Sequence, residues 1–183
     1  MVSLANFHFV IGGARSGKSK FAEQLATPYN QVCYIATATR FDGEMDTRIQ
    51  HHQDRRPKNW LLIEEPIELA NALKQAEQQA DVILLDCLTL WINNLMFEKK
   101  QVEWQKEFDH LAATIQSLKV DIIVVANEVG LGVVPATAIC REFVDEAGRL
   151  NQTLAQIAHK VTFMAAGLPM FNYANPALNS QSD

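Results

Sequence analysis

Short, nearly uninterrupted apolar runs alternate along this chain with stretches in which apolar residues recur every three or four positions. Phe7 to Ile11, Val32 to Ala36, Asp81 to Asp86, Asp121 to Ala126 and Lys160 to Ala165 read as buried strands, and Trp60 to Ile63 as a shorter one. Between them, Lys20 to Ala26, Glu44 to Arg55, Glu68 to Gln79, Leu88 to Phe97, Glu103 to Leu118 and Thr137 to Ala158 read as helical stretches. Strands that are apolar at almost every position are covered on both faces. The pattern therefore predicts an α/β fold, a three-layer sandwich around a mostly parallel sheet. In such sheets ligands bind beyond the carboxyl ends of the strands. The loops after Ile11, Ala36, Asp86 and Ala126 are thus expected around one site. The last strand signal is Lys160 to Ala165. Asn172 to Asp183 is small and polar and reads as a loose tail, which leaves residues 1–171 as one domain.

Composition narrows the class without changing this picture. The chain has 183 residues, 48% of them apolar and 20% charged, the balance of a globular protein. A net charge of −5 argues against a general nucleic-acid surface. Cys33, Cys87 and Cys140 are far apart and form no C-x-x-C pair, so neither a disulfide framework nor a zinc site is indicated, and a cytoplasmic setting is expected. The longest apolar tract, Val82 to Phe97, is broken by Asp86 and falls short of the roughly 20 residues of a membrane span.

The sharpest chemical signal lies between the first strand and the first helix. Gly12-Gly13-Ala14-Arg15-Ser16-Gly17-Lys18-Ser19 fits G-x-x-x-x-G-K-[ST], a phosphate-binding loop. Its backbone N–H groups and the helix N-terminus can close around an anion. Lys18 reaches for the β- and γ-phosphates and Ser19 for Mg²⁺. Asp86 closes an apolar strand in the manner of a Walker B carboxylate, a second group for Mg²⁺, although an acidic strand cap has the same form. A further cluster, Arg48 to Pro57, sets His51 and His52 among Arg48, Arg55 and Arg56. On a helix, positions 48, 52 and 55 share a face. The arginines could fork onto phosphate, and a neutral imidazole could attack phosphorus. Taken alone, the segment reads as a solvated polar face. Asn127 to Pro135 is a glycine- and proline-containing loop directly after a buried strand, and Phe143 to Gln152 carries polar groups within a helix.

In their order and spacing these segments resemble the bifunctional adenosylcobinamide kinase/adenosylcobinamide-phosphate guanylyltransferases of cobalamin synthesis. The matching pieces are GGARSGKS, YIATA, RIQHHQDRRPKNW followed by Glu64, LLDCLTLW, NEVGLGVVP and FVDEAGRLNQ, which together run from about Phe9 to Gly167. The phosphate loop is common to many proteins; R-I-x-x-H-x-x-x-R-P and N-E-V-G-x-G-x-V-P are far more specific. The resemblance implies a P-loop NTPase-type (RecA-like) fold and two reactions. ATP or GTP phosphorylates adenosylcobinamide. GMP from GTP is then transferred to the resulting phosphate through a GMP-histidine intermediate, giving adenosylcobinamide-GDP. The pattern places that histidine at His52. It also implies guanine-nucleotide contacts at Gly12 to Ser19, Thr37, Ala38, Thr39, Gln53, Asp54, Arg55, Arg56, Glu64 and Asp86, with Mg²⁺ at Ser19 and Asp86. A homo-oligomer, a trimer, is implied as well. Val144 stands where similar proteins often carry arginine. A plain P-loop small-molecule kinase is the nearest alternative, since it needs no reactive histidine. A GTPase-like switch fits less well, because no N-K-x-D follows any strand.

Overall fold

The computed structural model describes residues 5–39, 57, 59–99 and 101–179. In chain order the elements are β1 (Phe7–Gly12), α1 (Lys18–Ala26), β2 (Val32–Ala36), β3 (Leu61–Glu64), α2 (Leu69–Glu77), β4 (Val82–Asp86), α3 (Leu88–Glu98), α4 (Trp104–Gln116), β5 (Asp121–Asn127), α5 (Ala138–Ile157), β6 (Lys160–Ala165), β7 (Leu168–Ala174) and α6 (Pro176–Asn179). The helical stretch expected over Glu44 to Arg55 lies outside the described residues. The strands form one seven-stranded sheet in the order β3-β2-β4-β5-β1-β6-β7. All neighbours pair in parallel except β6 and β7.

Alternation along the strands divides the core in two. Phe7, Phe9, Cys33, Ile35, Ile83, Leu85, Ile122 and Val124 face one way and pack under α2, α3, α4 and α5 through Leu73, Leu88, Leu111 and Leu150. Val10, Val32, Tyr34, Val82, Leu84, Ile123 and Val125 face the other way, where Ala22 and Ala26 of α1 cover them. A strand covered on both faces has no solvent side to show, which is why these segments read as continuous apolar runs. Among the described residues no helix is long and apolar enough to cross a membrane.

The C-terminal end departs from expectation. Lys160–Ala165 is not the last strand: the chain reverses at Ala166-Gly167 and returns antiparallel as β7 through Ala174. Asn172, Tyr173 and Ala174, expected to begin a loose tail, therefore belong to the sheet. Asn175 is buried, donates from Nδ2 to the Gln156 carbonyl (3.1 Å), and precedes the short helix α6. Both turn residues have positive φ, 51° at Ala166 and 80° at Gly167, the conformation of a two-residue hairpin turn whose twist matches its strands. Every residue of β7 is exposed, Leu168, Met170, Phe171 and Tyr173 included.

Candidate functional site

The strand order brings the carboxyl ends of β4, β5 and β1 together. Gly12 ends β1 beside Asn127 of β5 and Met164 of β6. There is no room for a side chain at Gly12, where a Cβ would lie 2.4 Å from the Met164 carbonyl oxygen and 2.7 Å from Ser16 Oγ. The loop then curls back. The Ser16 N–H donates to the Gly13 carbonyl at 3.2 Å, and Gly17, with φ 89°, starts α1 from a left-handed conformation that favours glycine. Arg15 also has positive φ, 56°. The hairpin turn buttresses this loop from outside: the Gly167 N–H donates to the Ser16 carbonyl at 2.9 Å, and a Cβ on Gly17 would meet Gly167 Cα at 2.9 Å.

Lys18 is buried in the first turn of α1, and its Nζ donates to the Gly13 carbonyl at 3.1 Å. Burial lowers its pKa, while Cys87 and Asp86 oppose that shift. The Cys87 thiol is itself pushed up to about 11, by burial first and then by Asp86. Asp86 is half-buried and accepts a hydrogen bond from the Tyr34 hydroxyl at 3.0 Å. Ser19 is half-buried one residue after Lys18, and Ala14 and Arg15 are exposed at the loop tip. The buried Ser16 hydroxyl has no hydrogen-bond partner among the described residues. The loop therefore presents a buried cation, a helix N-terminus and a free hydroxyl at one place, an arrangement that complements a polyanion.

The end of β2 is tied to the same edge by a network that the sequence did not announce. Thr37 is buried; its hydroxyl donates to the Cys87 carbonyl at 2.7 Å and accepts from the Cys87 N–H at 3.0 Å. Asn94, buried within α3, donates to the carbonyls of Thr37 (2.8 Å) and Pro66 (3.1 Å) and accepts from the Thr39 hydroxyl at 3.4 Å. One side chain thus fixes the segments that follow β2 and β3. The available signal was a polar pair, Asn93-Asn94, inside an apolar helix. Thr89 Oγ1 likewise accepts from the Asn127 N–H at 2.7 Å and holds the end of β5.

The structure brings together Gly12 to Ser19, Thr37 and Asp86. It does not bring Glu64 to the phosphate loop. Glu64 is exposed at the end of β3, level with Ala36, and β2, β4 and β5 lie between it and β1. At about 4.8 Å per strand the separation is roughly 19 Å. Ala38 and Thr39 are half-buried between these extremes. Arg48, His51, His52, Gln53, Asp54, Arg55 and Arg56 lie outside the described residues.

A parallel sheet with this loop, a strand-end aspartate and a buried lysine defines a nucleotide-binding α/β protein of the P-loop NTPase class. The RadB recombinase structure matches it with a TM-score of 0.50 at 12% identity, covering 86% of this chain and 73% of that one, a likeness of fold alone. Residues 8–171 match the family model described as cobinamide kinase / cobinamide phosphate guanyltransferase. The bifunctional adenosylcobalamin biosynthesis protein CobP of Pseudomonas aeruginosa is 46% identical over 162 residues, which are 88% of this chain and 94% of that protein. CobU of Escherichia coli is 38% identical over 172 residues, covering 87% and 95%. The chain belongs to the cobinamide kinase / cobinamide phosphate guanyltransferase family, enzymes with a kinase and a guanylyltransferase activity.

Proposed function

We propose that this enzyme phosphorylates adenosylcobinamide with ATP or GTP and then transfers GMP from GTP onto the new phosphate, with His52 carrying the GMP between the two. The observation that supports it most is the buried Lys18, held at Gly13 and facing Asp86, in a chain of this family. In the first reaction the acceptor hydroxyl oxygen attacks the γ-phosphorus and the nucleoside diphosphate leaves. Lys18 neutralises charge on the β- and γ-oxygens, and the N-terminus of α1 and the Ser16 hydroxyl complement the rest. In the second, a neutral His52 ring nitrogen attacks the α-phosphorus of GTP and pyrophosphate leaves. The acceptor phosphate then attacks the same phosphorus, which frees His52 and yields adenosylcobinamide-GDP. Arg48, Arg55 and Arg56 favour the neutral imidazole and the anionic intermediates.

The residues present fit Mg²⁺. A hydroxyl (Ser19) and a carboxylate fixed by Tyr34 (Asp86) are hard oxygen donors beside the phosphate loop, and Mg²⁺ takes few protein ligands because phosphates and waters complete its shell. Bound there it would supply charge neutralisation on the triphosphate. Glu64, far from the loop, suits the other end of a guanine nucleotide, where a carboxylate accepts from the two N–H donors of the base edge. Gln53 and Asp54 join it in this reading, as do Thr37, Ala38 and Thr39. The exposed apolar residues of β7 favour a homo-oligomer, which the family resemblance makes a trimer, and the setting is cytoplasmic.

The test is incubation with α-labelled and γ-labelled GTP, with and without adenosylcobinamide, followed by a denaturing gel and product chromatography. Expected are γ-label in adenosylcobinamide phosphate and an acid-labile, alkali-stable α-label on the protein that His52→Ala loses and His51→Ala keeps. Label retained in His52→Ala but lost in His51→Ala would move the intermediate to His51. No protein label at all would leave a plain kinase.

A further inference from the structure

Beside the phosphate loop lies a second concave surface that the nucleotide reading does not use. Glu128 opens it: its N–H donates to the Gly12 carbonyl at 3.0 Å, so the segment after β5 starts from the floor of the phosphate loop. The Glu128 carboxylate accepts from the Gly130 N–H at 2.6 Å and turns the chain outward. Arg141 of α5 then pins the far end, donating to the carbonyls of Pro135 (2.9 Å) and Ala136 (2.8 Å). Between these anchors is a cavity of about 260 Å³, lined by Val129, Val133, Val134, Val144, Arg141 and Asp145. The loop shows water an unusual amount of apolar surface: Leu131 is 80% exposed, Val133 96% and Val134 76%. A contiguous exposed apolar patch marks a ligand or partner site.

Resting on the bifunctional reading above, we propose that this loop and cavity are the acceptor site, which takes the uncharged, amide-bearing edge of the corrinoid. Three observations favour that occupant over the others. The γ-phosphate of a nucleotide in the loop and the acceptor hydroxyl must come within bonding reach, and the Gly12–Glu128 contact makes the two surfaces continuous. The lining combines valine side chains and backbone with one guanidinium and one carboxylate, and its polar share suits neutral amides, since a carboxylate accepts from amide N–H and a guanidinium donates to amide C=O. The two bonds that pin the loop leave three of the five Arg141 N–H donors for a ligand. The volume is below the roughly 300–1,000 Å³ of a pocket that encloses a whole ligand. It accommodates one edge of a large molecule, with the exposed valines under its apolar body.

Val133→Asp and Arg141→Ala in the full chain test this, with adenosylcobinamide binding by equilibrium dialysis, kinase kinetics and light scattering measured in parallel. Expected is a rise of about tenfold or more in the acceptor Kd and KM, with nucleotide KM within about twofold and with unchanged melting and mass. Acceptor binding unchanged in both variants would overturn the proposal. A rise in nucleotide KM instead would assign the surface to nucleotide. Loss of subunits in Val133→Asp, with acceptor binding intact, would make it a contact between copies. Wild-type protein that binds GTP but no corrinoid would defeat the bifunctional reading itself, an outcome distinct from wild-type corrinoid binding that the variants leave untouched.

Discussion

Two loops leave the sheet side by side, one after β1 and one after β5, and they are built in opposite ways. The phosphate loop is tight and enclosed: Ser16 and Lys18 are buried, and Gly12 and Gly17 are pressed against the backbone of Met164 and Gly167. The loop from Glu128 to Ala136 is anchored at its two ends and open between them, with apolar side chains turned to solvent. The difference follows from what each would hold. A phosphate is small, uniform and strongly charged, so a rigid cage of donors can fit it in advance and suffers no reorganisation cost on binding. A large acceptor with an amide-bearing edge offers the loop surface rather than concentrated charge, and an open apolar shelf suits it better. Neighbouring strands in one parallel sheet can therefore serve two unlike ligands at one edge.

The sharpest break in the comparison is Lys18→Ala. On the proposed mechanism both reactions hold a triphosphate in the same loop, so both should slow together by about 2–5 kcal/mol of transition-state stabilisation, roughly 30- to 5,000-fold. Steady-state assays of each half-reaction check this, and near-normal turnover in either one would separate their nucleotide sites. Glycine substitutions probe enclosure directly. Gly17→Ala places a Cβ 2.9 Å from Gly167 Cα at a φ of 89°, and should cost about 2–4 kcal/mol in urea unfolding. Gly132→Ala meets nothing within 4 Å and should be neutral or slightly stabilising, by no more than about 1 kcal/mol. Equal costs at the two positions would erase the contrast.

Asp86→Asn keeps the shape of the strand end and removes its charge. Activity in both reactions should fall about 10–100-fold and need more magnesium to saturate, as for a group that holds a metal through water. An unchanged magnesium titration would return Asp86 to the role of a strand cap. The smallest effect concerns the strand that carries the phosphate loop. His8 lies half-buried on β1, where its Nε2 meets Thr162 Oγ1 at 2.8 Å. That hydroxyl donates to Asn172 Oδ1 at 2.7 Å, so it accepts from the His8 Nε2–H. Burial, and then Lys160, lower the pKa from 6.5 to about 4. The folded state therefore resists a proton that the unfolded chain accepts. This contribution is fully present above about 6.5 and is lost as pH falls toward 4. Thermal melts at pH 7 and pH 5 should differ less in His8→Asn than in the wild type, and an identical acid limb would contradict the assignment.

The phosphate loop was legible because its glycines, lysine and flanking elements are local in sequence, and the buried strands because each face of them is apolar. What escaped was non-local. β7 has no buried position and contains Pro169, and its turn is Ala166-Gly167 rather than the Asn-Gly or Asp-Gly that marks such hairpins, so nothing in that stretch reads as a strand. The polar residues from Asn172 onward pointed to a tail because the partner that holds Asn172, Thr162, lies on a different strand. Asn94 is one of a polar pair in an apolar helix, and its partners, Thr37, Thr39 and Pro66, are brought to it only by the fold. The same holds for the separation of Glu64 from the phosphate loop, which depends on a strand order that no local pattern encodes.

The most direct measurement is a crossed binding experiment. A non-hydrolysable GTP analogue and adenosylcobinamide are each titrated calorimetrically into the wild type, Lys18→Ala and Val133→Asp. Two loops built for two ligands should give a double dissociation: Lys18→Ala weakens the nucleotide by about tenfold or more and spares the corrinoid, and Val133→Asp does the reverse. Loss of both ligands in both variants, with each still folded by its melt, would contradict the account and make the two loops one site.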